Sequence, residues 1–536
     1  MVNPLRVFML SSLIAITTSC APSNEHEKHQ QFDTVIINGT VFSGNPDDNG
    51  QTLDIGIKDE RIVFIGDLGN TSYKTEKTID ASGHIVSPGF IDPHTHALGD
   101  LQNTDTSINV NYLTQGVTTV FVGNDGGGPV DTEAVMADVK AKSPGTNVAF
   151  FIGHGKVRSH VVGDDARAPS TDELKRMREL VHASMEAGAV GLSSGLFYDP
   201  GSFSETAEVI ALAEEIAPYG GVYDTHLRDE SAYNIGLIAS VEEAIEIGRQ
   251  SGAKVHLAHI KALGTVVWGQ SADIIKIVEA AHSEGLKVTA DQYPWRASGT
   301  RISNALVPIW AKDGGNDAMI ARLADPTLAD RLKQDMEEAL KIRGGPDALL
   351  VVDSPLEDIK GKTLREIAEE RKLTFVDAAK EIIIAGNARV ASFNMNDDDI
   401  RAFMAQPWVM TSSDGTNGHP RKYASFPRKY TQYIKDNQNH APVMDLGRFI
   451  HQSSGLTAET FSLCDRGYIR EGYIADITIF DPDRYADKAD FYNATLLSEG
   501  VTDLLVNGVQ MIEAGRLTGN RSGQVLKRDN CNFKKP

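Results

Sequence analysis

The chain has 536 residues, of which 41% are apolar and 23% are charged, and it contains 48 glycines. This composition is typical of a globular protein with one large or two unequal domains, and it excludes a fibrous or disordered chain. The formal net charge of −21 argues against nucleic acid or an anionic membrane surface as a partner.

The first twenty residues have the pattern of an export signal. Arg6 is the only basic side chain among them, and an uncharged, mostly apolar run follows it, too short to span a bilayer but suited to a signal peptide. Small residues then precede Cys20, which resembles the lipidation site of a bacterial lipoprotein. We predict a signal peptide over 1–20 and a polar tether over 21–32. The expected location is the periplasm or the exterior, with a lipid anchor at Cys20 as the only membrane contact; a soluble secreted or periplasmic protein is the alternative.

The next segment alternates in short β-like runs up to about residue 88, with an Asn-Gly turn signal at 38–39. After Gly89, eight apolar bursts alternate with stretches that have helical spacing. The bursts are GFIDPHTH, TTVFVGND, NVAFFIGH, AVGLSSGL, GGVYDTHLRD, KVHLAHIK, LKVTADQYP and WVMTSSDG. This pattern predicts an α/β chain with a (β/α)8 TIM-type barrel over 89–469.

Two regions depart from the barrel rhythm. The interval before the eighth burst is far longer than the others, which predicts a helical insertion at about 297–360, over the mouth of the barrel. After residue 470 the chain again has short β-like runs with alternating apolar residues and frequent turn signals, as in its first segment. We therefore predict a small β-sandwich domain formed from both termini, over 33–88 and 470–525.

Four histidines and one aspartate fall at predicted strand ends, where TIM-type barrels carry their chemistry. His94 and His96 end the first strand, and alternation places both imidazoles on one side. His226 ends the fifth strand, His259 the sixth and Asp414 the eighth. Imidazole nitrogen and carboxylate oxygen suit zinc, which yields a hydroxide nucleophile and polarises a carbonyl. Asp414 can then act as the general base and acid that moves the proton.

These strand ends resemble those of the amidohydrolase superfamily. Five longer motifs carry the same resemblance: GAVGLSSGLFYDPG, VYDTHLRDES, AHIKALG, GHPRKYASFPR and DRGYIREGYIADITIFDPD. Within it, they are similar to the D-aminoacylase branch, the N-acyl-D-amino-acid deacylases. The resemblance covers about residues 33–520. It implies one tightly bound Zn²⁺ on His226 and His259, a second, weaker metal position on His94 and His96, and Asp414 as general base and acid.

The main departure from this branch lies at the end of the second strand. The branch often has a bridging cysteine in a Val-Gly-Asn-Cys context, whereas this chain has Asp125. A carboxylate has two oxygens for two cations, so we predict that Asp125 is a metal ligand. The alternative is that it only caps the glycine-rich loop that follows. Replacing thiolate with carboxylate would make the site harder.

The resemblance also implies residues that bind the free carboxylate of a small-molecule substrate. Lys261, Tyr293 and Arg421 match the Lys, Tyr and Arg that hold this group, and charge-assisted hydrogen bonds suit it. Surface or internal ion pairs are the alternative for the two cations. Tyr198 and Arg228 belong to matching motifs and are further candidates, with packing roles as the alternative. His154 and His419 are interpreted as structural or supporting residues.

The function that follows is zinc-dependent hydrolysis of an amide, either deacylation of N-acyl-D-amino acids or cleavage of small dipeptides with a C-terminal D-residue. One alternative is a cyclic amidohydrolase of the hydantoinase or dihydroorotase kind, but its bridging lysine on the fourth strand is missing from AVGLSSGL. Another is a non-catalytic binding lipoprotein on the same fold. Cys464 and Cys531 could pair in an oxidising compartment and are assigned no chemistry.

Overall fold

The structure is a computed structural model that describes residue 1 and residues 30–69, 72–435 and 441–528. Residues 2–20 of the predicted signal peptide, with Cys20, most of the predicted tether, and Cys531 lie outside the described residues. Among those that are described, no helix has the length and apolar character needed to cross a membrane.

The strands of the described residues are, in chain order, β1 (Gln30–Val41), β2 (Gln51–Lys58), β3 (Arg61–Gly66), β4 (Tyr73–Asp80), β5 (Ile85–Pro88), β6 (Phe90–Asp92), β7 (Val117–Val122), β8 (Asn147–Gly153), β9 (Gly191–Gly195), β10 (Val222–His226), β11 (Lys254–Leu257), β12 (Val288–Gln292), β13 (Ala297–Arg301), β14 (Leu349–Asp353), β15 (Arg389–Phe393), β16 (Val409–Thr411), β17 (Ile477–Phe480), β18 (Val501–Val506), β19 (Val509–Glu513) and β20 (Arg516–Leu517).

The α-helices of the same residues are α1 (Leu98–Leu101), α2 (Val110–Leu113), α3 (Thr132–Ala141), α4 (His154–Val161), α5 (Thr171–Ala187), α6 (Thr206–Ile216), α7 (Leu237–Ser251), α8 (Ser271–Ser283), α9 (Ile302–Leu306), α10 (Gly315–Ala324), α11 (Ala329–Ile342), α12 (Leu364–Arg371), α13 (Phe375–Ile384), α14 (Asp397–Met404), α15 (Arg421–Lys429), α16 (Leu446–Ser453) and α17 (Gly455–Phe461).

Strands from both termini form one nine-stranded sheet, in the order β20-β19-β18-β17-β5-β1-β2-β3, with β4 pairing β1 beside this path. The two termini meet at the antiparallel pair of β5 and β17, where Val86 lies opposite Ile479. Buried isoleucines from both halves, among them Ile36, Ile62 and Ile477, pack in one cluster. The sheet therefore encloses a core of its own, as expected for the small domain predicted from both termini.

Eight parallel strands form the second sheet, in the order β16-β12-β11-β10-β9-β8-β7-β6. A parallel bridge between Thr95 and Gly415 joins the two outer strands just beyond their carboxyl ends. All residues of β7, β8 and β10 are buried, because helices cover one face of a barrel strand and side chains fill the other. The predicted (β/α)8 TIM-type barrel is confirmed.

Helix α5 shows how local sequence signals determine where a barrel helix begins and ends and which face it buries. Ser170 accepts a hydrogen bond from the backbone N–H of Glu173, and the Glu173 side chain accepts one from the Ser170 backbone. The helix ends at Gly188, whose φ of 111° is open to glycine but strained for other residues. Met177, Val181 and other buried residues between these ends form the face that packs on the barrel.

The insertion is a small α/β unit that leaves the barrel after β12 and returns before β16. Its three-stranded antiparallel sheet has the order β13-β15-β14, and its helices pack in a separate core that includes Leu323, Met336 and Ile382. It begins at the predicted residue, 297, but continues to Phe393 and so extends beyond the predicted boundary at 360. The reason is topological: β15 pairs with both β13 and β14, so the unit is incomplete until that strand is in place.

Candidate metal centre

The predicted metal ligands lie together at the carboxyl ends of the barrel strands. His226 is the last residue of β10, His259 follows β11 by two residues, and Asp414 follows β16 by three. Asp125 and the His94–His96 pair follow β7 and β6 in the same way. Two groups of ligand atoms each lie within 4.8 Å of one another: His94, His96, Asp125 and Asp414; and Asp125, His226 and His259.

Three of these residues have a left-handed backbone, which non-glycine residues rarely adopt. The φ angles are 55° for Asp125, 35° for His259 and 46° for Asp414. Such a conformation costs about 1–2 kcal/mol per residue and is maintained only where the surroundings impose it. The three turns occur where the ligand atoms of these residues come together, so the backbone conformation is part of how the site is built.

Asp125 lies between the two groups of histidines. Its Oδ1 is 3.3 Å from His259 Nε2, 3.8 Å from His226 Nδ1 and 3.5 Å from His94 Nε2. Its Oδ2 is 3.5 Å from His96 Nε2. Oδ1 thus faces His94, His226 and His259, and Oδ2 faces His96, so the carboxylate of Asp125 contacts both groups of histidines, as a bridging ligand would.

His226 and His259 present different ring nitrogens to a common point. His226 Nδ1 lies 2.9 Å from His259 Nε2, and the rings are nearly perpendicular, at 83°. With Asp125 Oδ1 they form a triangle of two imidazole nitrogens and one carboxylate oxygen. This donor set suits zinc, which takes three protein ligands at catalytic sites and leaves one position open.

The electrostatics of the cluster also fit a cation. Burial opposes protonation of His94, but the carboxylates of Asp125 and Asp291 outweigh it and raise its pKa well above the usual value. Burial and Lys261 oppose protonation of His259, yet the surrounding carboxylates raise its pKa to about 9. His94 Nε2 and Asp125 Oδ1 are buried without a hydrogen-bond partner among the described residues. The raised pKa values show that the surrounding carboxylates favour positive charge at these histidines, and a bound divalent ion would supply that charge.

Asp414 connects the cluster to a buried guanidinium. Its Oδ1 is 3.2 Å from His96 Nε2, whereas its Oδ2 is 2.8 Å from Arg421 Nη1. Burial opposes ionisation of Asp414, but Arg421 and the neighbouring histidines outweigh it and lower the pKa of the carboxyl group below its usual value. One oxygen is therefore fixed by Arg421, and the other faces the metal ligands as a carboxylate.

Glu230 is a site residue that sequence reasoning missed. Its carboxylate accepts a hydrogen bond from Lys261 Nζ and lies 3.3 Å from His259 Nδ1 and 3.6 Å from His226 Nε2. It therefore faces, on both histidines, the ring nitrogen opposite the one directed at Asp125. A carboxylate in this position fixes the tautomer and orientation of metal-binding histidines. Its only signal in the sequence was an acidic residue four positions after His226, in a segment that is not helical.

Asp291, near the end of β12, was also missed. Its Oδ2 accepts a hydrogen bond from His256 Nε2 at 2.9 Å and lies 3.7 Å from His94 Nδ1. Ser412 Oγ donates to its other oxygen. Asp291 is fully buried and fixes the back of the His94 ring. The signal was its position two residues before Tyr293, on the same face of the strand.

The predicted substrate-binding residues divide into two sets. Tyr293 lies beneath two cations, with Arg421 Cζ 4.7 Å and Lys261 Nζ 5.8 Å from its ring centre. The Tyr198 ring is 4.6 Å from that of His226. Arg228, in contrast, is directed elsewhere: its Nε and Nη2 donate to Glu243 at 2.9 Å. Four of the five candidates therefore gather around the metal centre, and Arg228 forms an internal ion pair.

The two histidines interpreted as supporting residues make buried contacts. His154 Nε2 lies 2.8 Å from Glu208 Oε1, and Glu208 also pairs with Arg158. His419 Nδ1 accepts a hydrogen bond from the backbone N–H of Arg421 at 3.2 Å, and its Nε2 lies 3.2 Å from the carbonyl oxygen of Ala297. His419 thereby joins the start of α15, which carries Arg421, to the first strand of the insertion.

A cavity of about 280 Å³ opens above the metal centre. His226, His259, Asp414 and Lys261 line it from the barrel side. The insertion contributes residues of β13, with Asn304, Arg343 and Arg389. The site therefore combines a metal-binding floor on the barrel with a wall supplied by the insertion, and its volume suits a small molecule.

Known proteins are similar to this chain in sequence and in architecture. A profile described as "Amidohydrolase family" matches residues 77–215. The D-aminoacylase of Alcaligenes xylosoxydans xylosoxydans is 31% identical over 528 residues, which cover 93% of this chain and 98% of that protein. The crystal structure of N-acyl-D-glutamate deacylase from Bordetella bronchiseptica, complexed with zinc and a phosphonate inhibitor, has a TM-score of 0.77 at 29% identity and covers 93% of this chain and 100% of that one. A D-hydantoinase structure covers 93% and 99%, respectively, with a TM-score of 0.52 at 16% identity, and this likeness concerns the fold alone.

Proposed function

The chain belongs to the amidohydrolase family, in its group of D-aminoacylases and N-acyl-D-amino-acid deacylases, and from this premise we propose that it releases D-amino acids from their N-acyl derivatives. It is a metal-dependent hydrolase that acts on linear amides. Small dipeptides that end in a D-residue offer the same bond beside the same carboxylate and are included in the proposal.

One observation carries the proposal: Asp125, His226 and His259 converge on one point, and Asp414 stands beside it at the floor of the cavity. When bound there, zinc would act as a Lewis acid toward the scissile carbonyl and would acidify water. Asp414 Oδ1 is placed to take the proton of the attacking water and to pass it to the leaving nitrogen. Arg421 keeps the carboxylate ionised and oriented for this role.

The α-carboxylate of the substrate would bind where Lys261, Tyr293 and Arg421 meet. The Tyr293 hydroxyl is buried and has no hydrogen-bond partner among the described residues, so it is available to donate to an anion. The two cations are already paired, Lys261 with Glu230 and Arg421 with Asp414, so a substrate carboxylate would share them. Charge-assisted hydrogen bonds of this kind orient a substrate as well as hold it.

The metal stoichiometry is part of the proposal. We assign one tightly bound zinc to His226 and His259, and a second, weaker position to His94 and His96, with Asp125 available to both. The asymmetry rests on His96, whose side chain is 34% exposed, whereas the side chains of His94, His226 and His259 are 0%, 6% and 2% exposed. A ligand open to water binds a cation less firmly than one in a dry site.

No specific observation favours the two alternatives. A cyclic amidohydrolase would need its bridging lysine on the fourth barrel strand, and β9 is Gly-Leu-Ser-Ser-Gly. A non-catalytic binding protein would have no use for Asp414 held in ionised form beside a set of metal ligands.

The test compares wild-type enzyme and Asp414→Asn in zinc content and in hydrolysis of N-acetyl-D- and N-acetyl-L-amino acids. We expect release of amino acid from D-substrates only, and a loss of about 10²–10⁴-fold in kcat for Asp414→Asn at little changed zinc content. Wild-type turnover in this variant would refute the proton-transfer role of Asp414. Equal hydrolysis of L-substrates would refute the proposed stereochemistry.

For its location, we propose that the protein is exported and anchored by a lipid on Cys20. The support is the signal-like sequence over 1–20 and the polar segment after it. Fractionation of cells that express the full chain or Cys20→Ala tests this: the full chain should be found with membranes, and the variant should not. Equal distribution of both forms would contradict the anchor.

A further inference from the structure

Three arginines of the insertion line the cavity: Arg301 at the end of β13, Arg343 directly after α11, and Arg389 at the start of β15. No carboxylate of the described residues lies within ion-pair distance of any of the three guanidinium groups. The acidic side chains that line the cavity are all engaged at the metal centre instead. In a chain with a net charge of −21, this collects positive charge on one wall of the cavity.

Arg343 is the most constrained of the three. Its side chain is buried, with 2% of the residue exposed, and Nε donates to the carbonyl oxygen of Ala305 at 3.2 Å. Its guanidinium lies 5.6 Å from the centre of the Tyr233 ring, and Nη1 has no hydrogen-bond partner among the described residues. Leaving a buried charged donor unsatisfied is costly, and an anion in the cavity would satisfy it.

Arg301 and Arg389 are direct partners in the antiparallel register of β13 and β15. Opposite residues lie on the same face, so two like charges stand side by side, which destabilises a strand pair. Burial and the proximity of Arg301 and Arg421 lower the pKa of Arg389. Asp353 lies opposite Arg389 on its other side, but it pairs with Lys360 at 3.8 Å. Arg301 is exposed and Arg389 is half-buried, so an anion that enters between them would contact both guanidinium groups and offset their repulsion.

This wall lies close to the proposed α-carboxylate site. A β-carbon at Gly299 would be 3.0 Å from Arg421 Nη2, so the glycine allows that guanidinium to pack against β13. Gly299 and Arg301 are two positions apart on the strand and share a face, so Arg421 packs against the same side of β13 that carries Arg301. A small molecule whose first carboxylate binds at Arg421 would therefore present a second carboxylate to this wall.

We propose that Arg301, Arg343 and Arg389 form a second anion subsite, and that the substrate carries a second carboxylate in its side chain, as in N-acyl derivatives of acidic D-amino acids. This inference rests on the proposed function, because the α-carboxylate site serves as its reference point. It specifies the substrate class that the metal centre alone leaves open. Bidentate guanidinium groups suit carboxylates, and here three are available for one ligand.

The first experiment compares wild-type kcat/KM for N-acetyl-D-glutamate and N-acetyl-D-glutamine, which have the same shape but differ in charge. We expect a preference of roughly 10- to 100-fold for the glutamate derivative, as charged hydrogen bonds imply. N-Succinyl-D-glutamine places the second carboxylate in the acyl group instead. A preference for this compound over N-acetyl-D-glutamate would overturn the assignment of the charge to the side chain.

The second experiment tests the arginines. In Arg343→Met and Arg389→Gln, the ratio of kcat/KM between the two acetyl substrates should fall toward one, whereas Arg343→Lys, which retains a positive charge, should keep part of it. Arg331→Gln is the matched control, because Arg331 lies on α11 with an exposed side chain and packs on Trp310. This control should keep the wild-type ratio.

Two outcomes separate this inference from the proposed function. Hydrolysis of N-acetyl-D-glutamine equal to that of both dicarboxylates would overturn the anion subsite and leave D-amino-acid deacylation intact. Absence of turnover with every D-substrate would overturn the proposed function. In that case, calorimetric binding of the two acetyl compounds to the Asp414→Asn enzyme still decides whether the cavity prefers the second carboxylate, and equal affinities would reject the subsite.

Discussion

The two sides of the cavity differ in how their residues are held. On the barrel side, His226, His259 and Asp414 stand at the ends of parallel strands whose side chains are buried, and carboxylates or cations fix each of them from behind. On the insertion side, Arg301 and Arg389 are held on a three-stranded sheet, and no described residue provides either with such a partner. The barrel side is pre-organised for a cation, whereas the insertion side is cationic itself.

This contrast indicates that the barrel and the insertion, each with its own hydrophobic core, have different roles at the site. The barrel supplies the groups that any amide hydrolysis of this kind needs, and its geometry leaves little room for change. The insertion packs on its own core around Leu323 and Met336, so its wall can change without disturbing the barrel. We therefore expect substitutions on the barrel side to affect metal binding and kcat, and those on the insertion side to affect the choice of substrate.

Asp125 gives the strongest test on the barrel side. In Asp125→Ala, the Kd for zinc should rise by roughly 10²–10⁴-fold, because loss of one partner of a buried charge costs about 3–5 kcal/mol. Asp125→Cys should recover zinc binding, since a thiolate is a good zinc ligand, and should discriminate more strongly against harder ions such as Mn²⁺. Metal titration of the apoenzymes measures both effects. Unchanged zinc affinity in Asp125→Ala would show that this residue only caps the loop after β7.

Glu230 tests whether a carboxylate that only orients the metal-binding histidines contributes to zinc affinity, as the ligands themselves do. Glu230→Gln keeps the shape but loses the charge that faces His226, His259 and Lys261. We expect zinc affinity to fall by about 10–100-fold, as is typical of residues that orient metal ligands. Glu243→Gln is the matched control, because the side chain of Glu243 is only 9% exposed and forms an ion pair with Arg228, away from the ligands. If both variants bind zinc equally well, Glu230 has no positioning role.

The barrel side was predictable from sequence because its signals are local. A short apolar run followed by His or Asp marks both the strand and its carboxyl end, and parallel strands bring these ends together. His94, His226 and Asp414 could be assigned to one site without knowledge of the contacts. Glu230 and Asp291 could not, because they act through other residues and have no motif of their own.

The insertion side was not predictable for the opposite reason. Its arginines are far apart in the sequence, and they meet only because β15 returns to pair with β13. The same return explains why the predicted boundary at 360 fell short of Phe393. The helical stretches after residue 360 have the same apolar spacing as barrel helices, so the sequence does not show that they belong to the insertion. Arg228 shows a further limit of prediction from sequence. The motif around it is the same whether the arginine side chain faces the cavity or pairs with an internal glutamate.

Arg228 provides the mildest kinetic test and separates catalytic effects from structural ones. Its ion pair with Glu243 is buried, with both side chains 9% exposed, so Arg228→Met leaves the glutamate charge without its partner. We expect the free energy of unfolding to fall by about 3 kcal/mol, while kcat/KM of the folded enzyme stays close to the wild-type value. In the double variant Arg228→Met, Glu243→Met, most of the stability should return, because replacing a whole buried pair with apolar residues costs little.

Denaturant unfolding and substrate kinetics on both variants give the comparison. A large rise in KM for Arg228→Met at unchanged stability would place Arg228 with Lys261 and Tyr293 among the residues that hold the substrate.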